Sequence, residues 1–197
     1  MSETIQTSQP EVTTDDTKSV RWGSIISWTV VIGILAMLAW GLLNSTKTRP
    51  EAGEAAPEFN MQYFNGYEWE GMTTANLSNM QGKVVVVNFW ASWCLECKLE
   101  ADVLEASWRK YQNDDVVFVG ITYADVEPNA IQYLLDYDVT YPNAPDLGTI
   151  ISSDYEITGV PETFIIDKQG IISHVQIGAV TEQLLTTKID QLLAQGG

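Results

Sequence analysis

The chain has 197 residues, enough for one compact domain and an appended segment, and a formal net charge of −16. This excess of acid argues against nucleic acid or anionic lipid as a partner of the folded part, because both require clustered lysine and arginine. Residues 1–49 carry four acids and four bases, so the whole net charge lies in residues 50–197.

The first predicted element is a transmembrane helix over residues 22–43. This stretch, WGSIISWTVVIGILAMLAWGLL, has no charged residue and can cross the ~30 Å hydrocarbon core as a helix. It is longer than the apolar region of a cleaved signal peptide, so we expect an uncleaved signal-anchor. We predict a disordered cytoplasmic tail over residues 1–21 and a linker over residues 44–56. Basic residues flank both ends equally, which leaves the topology open.

Residues 57–197 are predicted to form an α/β domain that starts with a β-hairpin. FNMQYF and YEWEGM would be its strands, because they flank Asn65-Gly66, a strong hairpin signal. The runs KVVVVNFWA and DVVFVGITY are typical of buried strands. A helical pattern follows each run, over residues 94–112 and 128–138.

The last third of the domain predicts a second hairpin and a helix. ETFIIDKQGIISHVQIG reads as two strands that turn at residues 168–170. Residues 181–194 follow a helical pattern, with Thr181 as the N-cap. The element order predicts a central mixed sheet with helices on both faces and a hairpin extension at the N-terminus.

Cys94 and Cys97, the only cysteines, form a C-x-x-C motif that has four possible uses. Structural zinc needs four ligands, and His174 is the only histidine that could join the two thiols. Covalent haem attachment needs a histidine where Lys98 stands. A structural disulfide would close too short a loop to add much stability. Thiol–disulfide exchange remains, and its setting favours it.

The motif lies where a buried strand meets the start of a helix. The first N–H groups and the helix dipole would stabilise a thiolate of Cys94 and lower its pKa. Cys97, one turn further, could resolve a mixed disulfide. We therefore predict redox catalysis by these two residues.

Three stretches, VVVVNFWASWCLECKLE, GVPETFIID and QGIISHVQIG, resemble the membrane-anchored thioredoxin-like proteins of cytochrome c maturation, the ResA, TlpA and CcmG group. The resemblance covers about residues 57–193. It implies a thioredoxin-like fold, and a domain on the extracytoplasmic side of the cytoplasmic (inner) membrane behind a single-pass anchor. It also implies reduction of partner disulfides such as those of apocytochrome c, and an integral membrane electron donor.

The resemblance also assigns roles to residues. Cys94 would be the nucleophile and Cys97 the resolving thiol. Pro161 would be a cis-proline facing them, preceded by Val160, whose backbone would dock the partner. Glu100 would handle protons, since Asn88 replaces the titratable aspartate of general thioredoxins; the alternative for Glu100 is a solvated helix carboxylate. We expect no cofactor beyond the disulfide and no metal.

Three further positions and one histidine complete the expectations for the site. Trp93 would belong to the docking surface, and Trp90 to the core. Glu162 would help to form an acidic floor under the site. His174 is expected to be an ordinary strand histidine rather than a copper ligand.

The chain departs from the family in two places. Leu95-Glu96 stands between the cysteines, where relatives mostly carry proline second. Glu96 would raise the pKa of the Cys94 thiol and oppose the helix dipole. Asp102 replaces a proline that often kinks the helix.

Two alternatives to cytochrome c maturation stay open. One is a general extracytoplasmic disulfide reductase, including one that serves copper-site assembly. The other is an anchored, non-catalytic binding or chaperone module with an idle disulfide.

Overall fold

The structure, a computed structural model, describes residues 22–44 and 49–195, and in the first range the side chains of residues 26–41. Helix α1 spans Trp22–Asn44, as the sequence predicts. No helix within the described ranges is found to be long and apolar enough to cross a membrane. The predicted tail, residues 1–21, lies outside the described residues.

Residues 49–195 form a unit of their own. Residues 49–56, expected to be linker, belong to it. The N–H of Gly53 donates to Ile172 O at 2.8 Å, and Ile172 N–H returns a bond to Glu54 O at 2.9 Å. Backbone hydrogen bonds of this kind fix the segment along a strand edge. The linker prediction is therefore wrong for residues 49–56.

The N-terminal hairpin is present, but its second strand is not the predicted one. Strand β1, Asn60–Gln62, pairs antiparallel with β2, Thr74–Asn76. The predicted partner YEWEGM lies in the connection, where Glu70 and Gly71 have φ of 51° and 76°. Two successive residues in the left-handed region cannot continue a strand. Asn65-Gly66 does form a turn.

A five-stranded mixed sheet forms the centre of the domain, in the order β5-β4-β3-β6-β7. Neighbours among β3, β4 and β5 are parallel, and β6 is antiparallel to both β3 and β7. This confirms the predicted mixed sheet. The strands are β3 Val84–Trp90, β4 Val116–Thr122, β5 Asn143–Pro145, β6 Glu162–Ile166 and β7 Ile172–Ile177.

Successive residues of β3 point to opposite sides, so the sheet has two distinct faces. Val86, Asn88 and Trp90 lie on one, which we call the helix face; Val85 and Phe89 lie on the other, the hairpin face. Three helices cover the helix face, and the β1–β2 hairpin with one short helix covers the hairpin face. The helices are α2 Leu95–Tyr111, α3 Glu127–Asp136 and α5 Glu182–Gln195 on the helix face, and α4 Ile150–Asp154 on the hairpin face; short 3-10 turns span Leu77–Met80 and Leu147–Thr149.

Candidate active site

The two cysteines form a disulfide at the junction of β3 and α2, with their Cα atoms 5.3 Å apart. Cys94 is the N-cap of α2 and has extended backbone angles. Its sulfur accepts a hydrogen bond from Cys97 N–H at 3.0 Å, in the place that a capping oxygen usually fills. The same N–H and the helix dipole can stabilise a thiolate of Cys94 when the pair is reduced.

The two cysteines differ in their exposure to solvent. Cys94 keeps 6% of its surface exposed, and Cys97 keeps none. Trp93 and Leu95, on either side of Cys94, are 59% and 73% exposed. The indole N–H of Trp93 donates to Ala124 O at 3.2 Å, which holds the ring at the surface. A partner can therefore approach Cys94 across apolar side chains.

The loop that precedes β6, residues 158–161, faces the disulfide. Val160 O lies 3.5 Å from Cys94 Sγ. The Val160–Pro161 peptide bond is cis, as the family resemblance implies. Gly178 N–H donates to Pro161 O at 2.9 Å and ties this loop to the end of β7. The structure thus brings Cys94, Val160 and Pro161 together.

Glu100 lies behind the disulfide and is only 1% exposed, so it is not a solvated helix carboxylate. Its carboxylate accepts hydrogen bonds from Asn88 Nδ2 at 2.9 Å and from Val180 N–H at 2.8 Å. Burial raises the pKa of Glu100 to about 7; the two hydrogen bonds oppose this shift, and Glu96 adds a smaller rise. Glu100 can therefore gain and lose a proton near neutral pH. It lies three residues after Cys97, on the same side of α2.

Glu162 is also 1% exposed, but it lies on the opposite face of the sheet from Glu100. Its neighbour Thr163 accepts a hydrogen bond from Asn88 on the helix face, at 3.0 Å. Glu162 therefore points to the hairpin face. There it accepts hydrogen bonds from Arg49 Nη2 and, at 3.0 Å, from Thr158 N–H. The predicted acidic floor is wrong for Glu162; the buried carboxylate behind the disulfide is that of Glu100.

Sequence reasoning missed a group of residues that contacts the helix turn of Cys97. Tyr133 of α3 donates its hydroxyl to Cys97 O at 2.8 Å. Its ring stacks on Trp90 with centroids 4.3 Å apart. The Trp90 indole N–H donates to Asn143 Oδ1 at 2.9 Å. Tyr133 stands on the apolar side of α3, but periodicity alone shows only burial, not a hydroxyl contact with α2.

A second missed residue supports the turn before Cys94. The carboxylate of Asp125 accepts hydrogen bonds from Ser92 N–H at 2.6 Å and from Ser92 Oγ at 3.0 Å. This joins the loop after β4 to the Ala91–Trp93 turn. The sequence signal is slight: one aspartate after a strand whose C-terminal end is adjacent to that of β3.

His174 lies on β7 next to β6, opposite Ile165. Burial lowers the pKa of His174, and Lys188 of α5 lowers it further. Within the described residues no group of three or more His, Cys, Asp or Glu side chains is placed to hold a metal ion.

The chain is similar to known proteins of thiol–disulfide exchange. The model of the AhpC/TSA family matches residues 52–175. The thiol:disulfide interchange protein HelX of Rhodobacter capsulatus is 33% identical over 144 residues, 73% of this chain and 77% of HelX. The thiol-disulfide oxidoreductase ResA of Oceanobacillus iheyensis is 26% identical over 185 residues, 92% and 95% of the two chains.

The fold is also similar to that of a thiol–disulfide exchange protein of known structure. The crystal structure of a thiol:disulfide interchange protein of the thioredoxin family from Chlorobium tepidum matches with a TM-score of 0.63 and 25% identity. The match covers 75% of this chain and 99% of that one. This confirms the thioredoxin-like fold predicted from the sequence.

Proposed function

The chain belongs to the AhpC/TSA family and is a thiol–disulfide oxidoreductase, and we propose that it reduces disulfides of extracytoplasmic partner proteins, apocytochrome c among them. The observation that carries this proposal is the disulfide itself. Cys94, at a helix N-terminus, keeps 6% of its surface exposed, Cys97 keeps none, and a glutamate with a pKa of about 7 follows Cys97 by one helical turn.

The reaction begins with the reduced pair. The Cys94 thiolate attacks one sulfur of the partner's disulfide, forms a mixed disulfide and releases the partner's other sulfur as a thiolate. Cys97 then attacks Cys94 Sγ, which forms the Cys94–Cys97 disulfide and releases the second partner thiolate. Two electrons pass to the partner, and the disulfide is the only redox group that the reaction needs.

Glu100 handles the proton of the second step. Cys97 must lose its thiol proton before it can attack, and its sulfur is closed to solvent. The carboxylate of Glu100 accepts that proton, and its raised pKa matches it to exchange near neutral pH. Asn88 and Val180 hold the carboxylate in place through their N–H groups.

Docking uses the exposed surface around Cys94. Trp93 and Leu95 offer apolar contact area, and Val160 and Pro161 offer backbone groups beside the reacting sulfur. Glu162 takes no part in direct contact, because its carboxylate faces the other side of the sheet.

The sequence and the family support a location outside the cytoplasm. Residues 22–43 are 22 successive residues without a charge. We propose that they anchor the chain in the cytoplasmic membrane by a single pass, with the domain outside. A membrane dithiol donor would then return two electrons to Cys94–Cys97. Alkaline extraction of membranes and a C-terminal alkaline phosphatase fusion test this: release by alkali, or an inactive fusion, would contradict it.

The direction of electron flow is tested by the reduction potential of Cys94–Cys97 in the full chain in detergent. The protein is equilibrated in redox buffers, and its free thiols are counted by mass. A value near ~−270 mV supports reduction of partners, and a value near ~−120 mV would make the protein a disulfide donor instead.

The partner is tested by trapping. In the Cys97→Ser variant the mixed disulfide on Cys94 cannot be resolved, so the partner stays attached and can be identified; Cys94→Ser is the matched control. Apocytochrome c on the trap supports the proposal. A copper-site protein or a broad mixture would favour the wider reductase, and normal cellular function of Cys94→Ser would favour a non-catalytic module.

A further inference from the structure

Arg49 is the first described residue of the domain and is joined to its interior. Its guanidinium pairs with the carboxylate of Glu162, and its Cζ lies 5.7 Å from the centroid of the Phe164 ring. The Arg49 side chain is 22% exposed and that of Glu162 is 1% exposed. A carboxylate this deeply buried requires a counter-charge or neutralisation, and Arg49 provides the counter-charge.

The backbone around Arg49 is fixed as well. Residues 53–56 hydrogen-bond to Ile172, the first residue of β7, and to the turn before it, through Gly53 N–H, Glu54 O and Ala56 N–H. The Ala56 bond, to Gly170 O, is 2.9 Å long. Arg49 is thus held from two sides: its side chain in the interior, and the chain after it along the sheet edge.

Glu162 passes this constraint to the loop that faces the disulfide. Its Oε1 accepts hydrogen bonds from Thr158 N–H at 3.0 Å and from Thr158 Oγ1 at 3.2 Å. Thr158 begins the loop and Pro161 ends it. Between them Val160 O lies 3.5 Å from Cys94 Sγ. The Glu162 carboxylate is therefore hydrogen-bonded to the start of this loop and, at the same time, paired with Arg49.

We propose that Arg49 is a positioning residue for thiol–disulfide exchange. Through Glu162 and Thr158 it holds residues 158–161 in the position at which a partner docks beside Cys94. Without Arg49, the buried carboxylate of Glu162 loses its counter-charge and its hold on Thr158, so the loop shifts. This inference rests on the proposed function, because it assigns docking to Val160.

The test compares two disulfide probes on the reduced full chain in detergent. The first probe is an extended peptide with a Cys-x-x-Cys disulfide, which must dock along Val160. The second is the small reagent 5,5′-dithiobis(2-nitrobenzoate), which needs only access to Cys94. The variants are Arg49→Gln, Arg49→Lys, Glu162→Gln and the double variant Arg49→Gln/Glu162→Gln; Lys83→Gln is the control for loss of a surface cation.

We expect Arg49→Gln to slow reaction with the peptide about tenfold and to change reaction with the small reagent less than about twofold, since misplacement of a docking group affects only the docked reaction. Arg49→Lys should recover most of the peptide rate, because it restores the charge. In the Glu162→Gln background, Arg49→Gln should add less than about twofold, because the two residues act through one contact.

Three results would overturn the inference: equal loss of both rates, an unchanged peptide rate in Arg49→Gln, or independent effects of Arg49→Gln and Glu162→Gln. Thermal melts run on the same samples ensure that each rate belongs to folded protein. A wild-type chain that fails to reduce the peptide would contradict the proposed function and this inference together. A reactive wild type with an equally reactive Arg49→Gln would contradict the inference alone.

Discussion

Each face of the central sheet buries one glutamate near the disulfide end of the domain. The two glutamates differ in the groups that contact their carboxylates. On the helix face, Glu100 has hydrogen-bond donors but forms no ion pair with a cation among the described residues, and burial raises its pKa to about 7. On the hairpin face, Glu162 has the same 1% exposure but pairs with Arg49.

The presence or absence of a paired cation gives two buried glutamates different properties. A buried carboxyl without a counter-charge exchanges its proton near neutral pH, so it is suited to proton transfer. A buried carboxylate with an arginine stays charged and holds neighbouring groups through strong hydrogen bonds. On the proposed mechanism, the helix face therefore carries the proton transfer, and the hairpin face supports the loop that contains Val160.

The largest expected effect is on the hairpin face. Arg49→Gln leaves the Glu162 carboxylate buried without its cation, and we expect a loss of about 4 kcal/mol in the free energy of unfolding at pH 7. Urea unfolding followed by far-UV circular dichroism measures it. The control Lys83→Gln removes a cation 3.8 Å from the exposed Asp115 and should cost under about 1 kcal/mol. Equal losses of unfolding free energy in Arg49→Gln and Lys83→Gln would mean that the buried Glu162 carboxylate does not depend on Arg49.

Next in size is the pH dependence set by Glu100. Its pKa rises from 4.5 in an exposed carboxyl to about 7 in the fold, so the folded state favours the protonated form. The stability gained from this is complete below about pH 4.5 and is lost as the pH rises through about 7. At about 1.4 kcal/mol per pKa unit, the loss is about 3 kcal/mol.

Glu100→Gln removes this titration, so its free energy of unfolding should lack the decline that the wild type shows between pH 4.5 and 8. Urea unfolding at a series of pH values gives the difference between the two curves. The rate of mixed-disulfide resolution by Cys97 should also lose its inflection near pH 7 in the variant. Parallel stability curves would mean that the pKa of Glu100 is the same in the folded and unfolded states, and would contradict the rise to about 7.

A smaller effect is expected from Gly120→Ala on the helix face. A Cβ at Gly120 would lie 1.8 Å from Asn143 Oδ1 and 2.8 Å from Trp90 Nε1, the two atoms of one hydrogen bond. Overpacking of this kind costs about 2 kcal/mol. Near-UV circular dichroism should change as the Trp90 indole moves. Gly159→Ala is the control, since a Cβ there meets nothing within 4 Å. An unchanged Trp90 signal would show that Asn143 gives way at no cost.

The smallest effect is expected from Tyr133→Phe. The change removes the hydroxyl that donates to Cys97 O at 2.8 Å and should cost about 1 kcal/mol of stability. Tyr137→Phe, at the C-cap of the same helix, is the control. Chemical unfolding of both variants measures the loss. A cost in Tyr133→Phe no larger than in the control would mean that the hydroxyl contact contributes nothing to the helix face.

The sequence by itself determined the local features: the buried strand before the cysteines, the helix after them and the second hairpin. β3, α2 and the β6–β7 pair confirm these, because each depends on periodicity and turn residues within a short stretch. The C-x-x-C motif at a helix start is equally local, which is why redox chemistry could be predicted from it. The first hairpin was misplaced because its strands are only three residues each and their pairing depends on burial of Met61 and Ala75.

Only the tertiary structure decided what the carboxylates do. Glu100 meets Val180 across 80 residues of chain, and Glu162 meets Arg49 across 113. No local pattern encodes such contacts, because they arise from the packing of separate elements. The strand alternation that puts Thr163 on the helix face puts Glu162 on the other, and that geometry separates the glutamate with the raised pKa from the one paired with Arg49.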